Sequence, residues 1–484
     1  VLDVVTTYWP YLLGLVERVI AIWASSHAVL YKRETRAVIG WVGLIWLAPF
    51  MGSVLYYGLG INRLRRRGGE LQQAIEASLG QVVIDIPEAA KQRLEHAKEQ
   101  FPQFAQLTRL VHQLTDRTLL PGNSVVPLLG GKDAYCAMLA AIENATTSIA
   151  IQTYIFDNDR AGKEFAEALQ RAHRRGVQVR VLVDDVGARY SRPSIVKVLQ
   201  RMQIECHTFL PARIPIFNPY ANLRNHRKIM VIDGHIGFTG GMNIRQGCRL
   251  DWEVSHHVHD IHFEVRGPVV SHLREAFIAD WAFTTQEVLS GNAWLPTVNF
   301  TGDMWARGIP DGPDEDFEKL LLTILGAITV ANRRIVIMTP YFLPDIALIH
   351  ALGVAALRGV DVRIILPARS NNFLVQWAST AQLWQILERG CHIHLSSAPF
   401  DHSKLVLVDD AWVLFGSTNW DPRSLRLNFE FNVECYSLKL ASVLAAYADQ
   451  KISSSNELSL EMVNNRSIAV RLRDGVTRLL TPYL

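Results

Sequence analysis

Two stretches decide the reading of this chain: Asn225–Gly234, NHRKIMVIDG, and Asp401–Asp410, DHSKLVLVDD. Each places a histidine and a lysine two residues apart (His226 and Lys228; His402 and Lys404), then four apolar residues, then an aspartate (Asp233; Asp409). Four apolar residues bounded by polar ones predict a buried strand, on which positions i and i+2 share a face, so each His projects beside its Lys. Asp233-Gly234 is a hairpin-turn dipeptide, and a two-residue turn would return Gly241 opposite His226 and Ser417 opposite His402. Asn243 and Asn419 follow at the same spacing, so the Gly/Ser-Asn segment is expected beside each imidazole. On this count Asp233 and Asp409 lie at the turn, off the His/Lys face, and read as braces rather than proton carriers.

Working outward, the repeat extends well beyond the motif. Ser148–Phe156 (SIAIQTYIF) answers Arg334–Phe342 (RIVIMTPYF), and Arg175–Val183 (RGVQVRVLV) answers Arg358–Leu366 (RGVDVRIIL). Their offsets are 186 and 183, against 176 for the motifs, so the first half carries the longer loops. β-branched runs alternate with helical stretches such as EFAEALQRAHRRG and LIHALGVAALRG. The expected fold is therefore α/β, with two similar lobes in one chain. The expected division is a membrane anchor at 1–67, a polar helical linker at 68–117, lobes at 118–300 and 301–450, and an amphipathic tail at 451–484.

A His and a Lys on one face, present twice, suit a phosphodiester. One neutral imidazole can attack phosphorus and form a phosphohistidine, while the other protonates the departing alkoxide and later deprotonates the acceptor. The lysines and asparagines can donate to the non-bridging oxygens, where charge builds in the transition state. Side chains supply the cations, so no metal or organic cofactor is expected.

These residues are the HKD motif of the phospholipase D superfamily, and the wider pattern resembles the bacterial cardiolipin synthases. The resemblance rests on NHRKIMVIDGHIGFTGGMN, DIHFEVRGPVV, TPYFLP, RGVDVRIILP and HSKLVLVDDAWVLFGSTNWDPRSLRLNFE, together with an apolar N-terminal region that has a basic exit. It implies two phospholipase D-type lobes about a pseudo-twofold axis, with the six motif residues His226, Lys228, Asp233, His402, Lys404 and Asp409 as catalytic. By the same resemblance an acidic residue downstream of each motif steadies an imidazole, at positions matching Asp260 and Glu430, with Ser417, Asn243 and Asn419 in support. The first copy has Gly241 where the family often has serine, which makes the halves unequal. The resemblance also favours His226 as nucleophile and His402 as acid/base. The implied reaction joins two phosphatidylglycerols, giving cardiolipin and glycerol. A hydrolase or a phosphatidylserine synthase would use the same residues with another acceptor. A nuclease is disfavoured by the apolar N-terminus and by a pI near 8.5 without a dense basic stripe. A non-catalytic scaffold would require decayed motifs, and both copies keep His and Lys.

The N-terminus carries the membrane signal. Ala37 to Gly60 is free of charge, long enough to cross a hydrocarbon core of about 30 Å, and is followed by Arg63, Arg65, Arg66 and Arg67. That basic flank predicts a cytoplasmic catalytic body at the bacterial inner membrane. Tyr8–Tyr31 is apolar except for Glu17 and Arg18, and is expected to complete a helical hairpin rather than serve as a cleavable signal. With 49 Lys+Arg against 46 Asp+Glu the net charge is +3, so no nucleic-acid partner is expected; a homo-oligomer stays open. The five cysteines are scattered with no CxxC pair, which fits a reducing compartment.

Three weaker signals remain. The run Ser255–His262 (SHHVHDIH) suggests a metal, but alternation scatters its histidines, so a strand carrying Asp260 with solvated histidines is the better reading. Phe209–Tyr220 and Ser396–Phe400 are either ordinary loops or rims that touch lipid. In the last 19 residues Ile468, Leu472, Val476 and Leu479 fall at helical spacing with Arg466, Arg473 and Arg478 mainly off that line. Such a helix can lie on an anionic bilayer or pack on the catalytic body.

Overall fold

The computed structural model describes residues 2–32, 35–60, 101–211, 223–297, 299–312 and 318–481. The chain divides into two compact units, 1–67 and 68–484.

In the N-terminal unit, α1 (Leu2–Tyr31) is the long apolar helix, and α2 (Thr35–Leu47) and α3 (Pro49–Leu55) pack against it. Ala21, Ala24 and Ala28 form a small-residue seam on α1 that closes fully on Ile45 and Tyr56. The opposite side of α1 leaves Tyr11, Leu15 and Val19 exposed. Among the described residues α1 alone is long and apolar enough to cross a bilayer. The expected single span over Ala37–Gly60 is not formed. Pro49 lacks an amide hydrogen and its ring collides with a preceding carbonyl, so the helix breaks at Ala48 and restarts with Pro49 in its first turn. The restarted α3 lies close against α2 because Gly52 has no side chain: a Cβ there would sit 2.5 Å from the Leu44 carbonyl oxygen.

The larger unit is built on one sheet of fifteen strands. The first half supplies β1 (Leu120–Leu128), β2 (Ser148–Thr153), β3 (Gln178–Asp184), β4 (Glu205–Phe209), β5 (Ile229–Ile232), β6 (Ile236–Gly240), β7 (Val258–His259) and β8 (His262–Arg266). The second supplies β9 (Met304–Asp311), β10 (Arg334–Met338), β11 (Asp361–Pro367), β12 (His392–Ser396), β13 (Phe400–Asp401), β14 (Leu405–Val408), β15 (Trp412–Gly416), β16 (Glu430–Tyr436) and β17 (Asn456–Leu458). The strand order is β17-β12-β11-β10-β14-β15-β16-β9-β1-β8-β6-β5-β2-β3-β4. Apart from β17, each half reads the same way outward from the antiparallel β1–β9 pair at the centre. The two lobes thus share one hydrogen-bonded sheet. The quoted repeats form β2, β3 and the β5–β6 hairpin in one lobe, and β10, β11 and the β14–β15 hairpin in the other. Separate apolar cores fill them, one around Phe165, Leu169 and Phe238, the other around Ile324, Leu352 and Trp412. Val258–His259 and Phe400–Asp401 pair apart from the main sheet, parallel and between lobes.

Two segments do more than their composition suggests. Residues 102–115, expected to end a linker, form a helix whose Phe104, Leu107 and Val111 are built into the second lobe's core. Residues 68–100 of that expected linker lie outside the described residues. The expected tail contributes β17, which pairs antiparallel with β12 at the sheet edge.

Candidate active site

The two hairpins place the motifs, but with a register one residue different from that expected. Ile232 pairs with Ile236 and Val408 with Trp412, so three residues, not two, form each turn. Asp233 causes the difference: its amide donates to Ser148 O of β2 (2.8 Å), outside its own hairpin, and its backbone turns left-handed at φ 51°. Asp409 does the same with Arg334 O at 3.0 Å and φ 51°. Each carboxylate then caps the start of a neighbouring strand. Asp233 accepts from the amides of Thr146, Thr147 and Ser148 at 2.8–3.2 Å. Asp409 accepts from those of Asn332, Arg333 and Arg334 at 2.7–3.0 Å. Burial would raise the Asp233 carboxyl, yet the bonds from Ser148, Thr147 and Thr146 hold it below its ordinary value.

A one-residue change of register alters which groups face each other. Gly241 and Ser417 do not stand opposite the histidines of their own motifs. Gly241 packs on Asp260, where a Cβ would approach the two carboxylate oxygens to 2.6 and 2.7 Å. Ser417 donates its hydroxyl to Glu430 Oε2. The hairpin return therefore shapes the acid, and the acid shapes the histidine.

Those acids serve the opposite lobe. Glu430, at the start of β16, accepts from His226 Nδ1 at 2.9 Å, and Asp260, between β7 and β8, accepts from His402 Nδ1 at 2.8 Å. The backbone repeats the exchange. The His226 amide donates to Phe429 O (2.9 Å) and the His402 amide to His259 O (2.7 Å), in each case the residue before the acid. With Nδ1 bonded to a carboxylate, Nε2 is the nitrogen of each ring left for chemistry, and in His402 it has Lys404 Nζ 3.2 Å away.

The lysines close the cluster. Lys228 Nζ donates to His226 O at 2.7 Å, and Lys404 Nζ donates to His402 O at 2.6 Å while lying 3.0–3.2 Å from both ring nitrogens. His226, Lys228 and Lys404 are buried, none more than 8% exposed, and the His402 side chain is 12% exposed. Burial, reinforced by both lysines, holds the two imidazoles well below their ordinary value, so they rest neutral. Burial lowers the Lys228 ammonium to about 7 and Lys404 to about 8, and raises the carboxyls of Asp260 and Glu430 to about 7. Two cations and two anions share one dry volume, so these groups titrate as a set.

Asn243 accepts from the Ile155 amide at 3.1 Å, which leaves its side-chain N–H groups as donors. Asn419 Nδ2 donates to Ser424 Oγ at 3.2 Å. Three aromatic residues beside the histidines were not singled out in the sequence. Tyr154 lies edge-on to His226 (ring centroids 5.2 Å apart), Tyr341 edge-on to His402 (6.2 Å), and Phe400 is 6.0 Å from His402. Both tyrosines occur in the quoted repeats, but one position out of step, which conceals their shared role.

The remaining signals divide. Of the histidine run, His256 is exposed and His257 bonds Trp252 O at 2.9 Å. His259 and His262 are buried, not solvated. His259 faces Asp401 at 3.6 Å, and burial beside Lys228 depresses His262 to about 3. Most of the Phe209–Tyr220 stretch lies outside the described residues, whereas Ser396–Phe400 brings Phe400 to the histidine.

Comparison with known proteins shows the family. A family model described as cardiolipin synthase, PLD-like domain, matches residues 138–281 and 324–452. The chain is 30% identical over 456 residues to cardiolipin synthase 2 of Staphylococcus epidermidis, covering 94% of this chain and 93% of that one. It is 29% identical over 484 residues to the cardiolipin synthase of Listeria monocytogenes, covering 98% and 99%. Among solved structures, the phosphatidylserine synthase of Haemophilus influenzae superposes with a TM-score of 0.62 at 16% identity, over 78% of this chain and all of that one, a likeness of fold.

Proposed function

The chain belongs to the cardiolipin synthase family of phospholipase D-like proteins, and on that premise we propose that it transfers a phosphatidyl group from one phosphatidylglycerol to another, giving cardiolipin and glycerol. The observation that carries the mechanism is the pair of crossed contacts, His226 with Glu430 and His402 with Asp260.

His226 Nε2 attacks the donor phosphorus, forming the N–P bond as the bond to the glycerol oxygen breaks. As the anionic phosphodiester binds, His402 takes up a proton from solvent at Nε2, with Asp260 holding the imidazolium; it gives that proton to the departing oxygen, and glycerol leaves. His402, now neutral, takes the proton from the terminal hydroxyl of the second phosphatidylglycerol. That oxygen then bonds phosphorus, and the N–P bond breaks. Glu430 and Asp260 fix both tautomers and stabilise each imidazolium as it forms. Lys228, Lys404, Asn243 and Asn419 neutralise the equatorial oxygens. Asp233 and Asp409 belong to the motifs but act through the fold, and Ser417 orients Glu430. The low exposure of the two imidazole side chains, 11% and 12%, supports transfer over hydrolysis, since water has little access to the intermediate.

The same reading takes residues 1–67 as a helical membrane hairpin, α1 crossing and α2–α3 returning, with the body on the cytoplasmic face. The linker at 68–117 and the lobes at 118–300 and 301–450 follow, the lobes related by a pseudo-twofold axis; the mirrored strand order supports that relation.

The test is purified enzyme in phosphatidylglycerol micelles, with products resolved by mass, beside His226→Ala and His402→Ala. Cardiolipin and glycerol in equal amounts, lost in both variants, is the expected result. Phosphatidic acid as the main product would instead make water the acceptor and the protein a phospholipase D.

A further inference from the structure

The helix Ile468–Arg478 is docked with its sides reversed. A helix on a globular body ordinarily buries its apolar face. Here the buried positions are Asp474 and Thr477, while Ile468, Leu472, Val476 and Leu479 are 62–75% exposed. The polar side is a built attachment. Asp474, 1% exposed, pairs with Arg466 at 2.5 Å and Arg473 at 2.7 Å, and the Arg473 guanidinium lies 4.2 Å from the Trp377 ring centroid. Arg466 also donates to Thr380 O at 3.5 Å. Trp377 and Thr380 belong to the helix Phe373–Thr380, so these bonds fix the C-terminal helix in orientation with its apolar stripe outward.

We propose that this outward stripe is a bilayer-docking surface for anionic phospholipid. Charge complementarity selects that occupant. Arg466 and Arg473 are engaged by Asp474, but Arg471 and Arg478 are exposed beside the stripe and have no acidic partner among the described residues. An apolar ridge edged by arginines matches acyl chains beneath phosphate headgroups. A further surface-exposed aromatic, Phe373, opens the neighbouring helix.

The location gives the surface a purpose, which rests on the lipid substrate of the preceding reading. The Phe373–Thr380 helix buries Val375 and Ala378 on Leu343, with Tyr341 packed against them. Tyr341 in turn stands edge-on to His402. One intervening helix therefore separates the docking stripe from the wall of the reaction site, and seating the stripe at the interface holds that site at headgroup depth.

The test uses the full chain in vesicles containing phosphatidylglycerol, with Leu472→Cys carrying an environment-sensitive fluorophore in a Cys136→Ser background. The expected result is a blue-shifted signal quenched by bromolipids and protected from aqueous iodide, with protection lost on Arg471→Glu plus Arg478→Glu. A fluorophore open to iodide in those vesicles would overturn the proposal. Protection that persists in detergent and grows with protein concentration would also overturn it, assigning the stripe to a second copy. This arm detects no product, so it stands apart from the assignment of the reaction. A second arm compares Leu472→Ser plus Val476→Ser in vesicles and in detergent-mixed micelles. The expected KM rises by about tenfold on vesicles only, with kcat kept; an equal rise in both would overturn the docking role.

Discussion

Glu430 and His226 belong to different lobes, yet their carboxylate and imidazole are 2.9 Å apart and the Glu430 side chain is completely buried. With the reciprocal Asp260–His402 contact, each lobe's motif histidine takes its carboxylate partner from the other lobe. In the proposed mechanism the shared sheet through β1 and β9 therefore serves the chemistry as well as stability.

Removing the negative charge while keeping the shape isolates that contact. Glu430→Gln and Asp260→Asn should each lower kcat by about 10³-fold with thermal stability little changed, since the neutral amide neither holds the required tautomer nor stabilises the imidazolium. Initial rates of product formation beside a melting curve check this; a loss under tenfold in either variant would sink the crossed-pair mechanism.

Gly241 and Ser417 should respond differently despite matching positions. Ser417→Ala removes one donor to Glu430 and should cost about tenfold in kcat. Gly241→Ser adds atoms where even a Cβ would stand 2.6 Å from Asp260, so it should displace that carboxylate and cost more than Ser417→Ala. Parallel rates decide it, and a Gly241→Ser enzyme of full activity would refute the packing argument.

Asp233 should govern stability rather than turnover. Asp233→Ala strips acceptors from three consecutive amides and should cost about 2–3 kcal/mol, with kcat per folded molecule preserved. Its folded carboxyl lies below the ordinary 3.8. Its stabilisation is therefore complete above that value and disappears as pH falls through the folded one. The gap in melting temperature between wild type and variant should accordingly shrink only under strongly acid conditions.

The pH profile should be set by carboxyls and lysines rather than by imidazoles. Protonation of Asp260 and Glu430, raised to about 7, gives the acid limb of kcat/KM. Loss of charge from Lys228 and Lys404, lowered to about 7 and about 8, gives the alkaline limb. The profile should be a narrow bell near neutrality. Bound phosphate favours charged lysines, so the alkaline limb of kcat should lie at higher pH than that of kcat/KM. Coincident alkaline limbs would count against lysine–phosphate contact.

The proposed cytoplasmic placement is open to a labelling test that the structure narrows. Cys248 and Cys391 are buried, whereas Cys136 is exposed. In intact cells a membrane-impermeant maleimide should leave Cys136 unlabelled, and permeabilisation should expose it. Labelling before permeabilisation would reverse the orientation.

Much of this was readable along the chain because it is written in short-range pattern. His and Lys two apart before IMVI and LVLV specify a strand face, since side-chain direction alternates along a strand. A doubled motif with matching strands and helices specifies two lobes. Apolar length marks the N-terminal region as membrane-associated, but not how it folds. There Pro49 and Gly52 break and fold back the stretch expected to span, while α1 takes the full length.

What the sequence could not decide is contact between positions far apart. Whether Asp260 serves its own lobe's histidine or the other's depends on how β8, β1, β9 and β16 line up across the centre of the sheet, and no local pattern encodes that alignment. The hairpin register turned on a hydrogen bond from Asp233 to a strand 85 residues away. The orientation of the last helix turned on the buried Asp474, whereas the apolar periodicity was equally compatible with a bilayer and with the catalytic body. The sequence by itself determined the motif groups and the repeated unit, because both are local. Only the tertiary structure decided which group supports which, because hydrogen bonds and desolvation act over a few ångströms of space, whatever the separation along the chain.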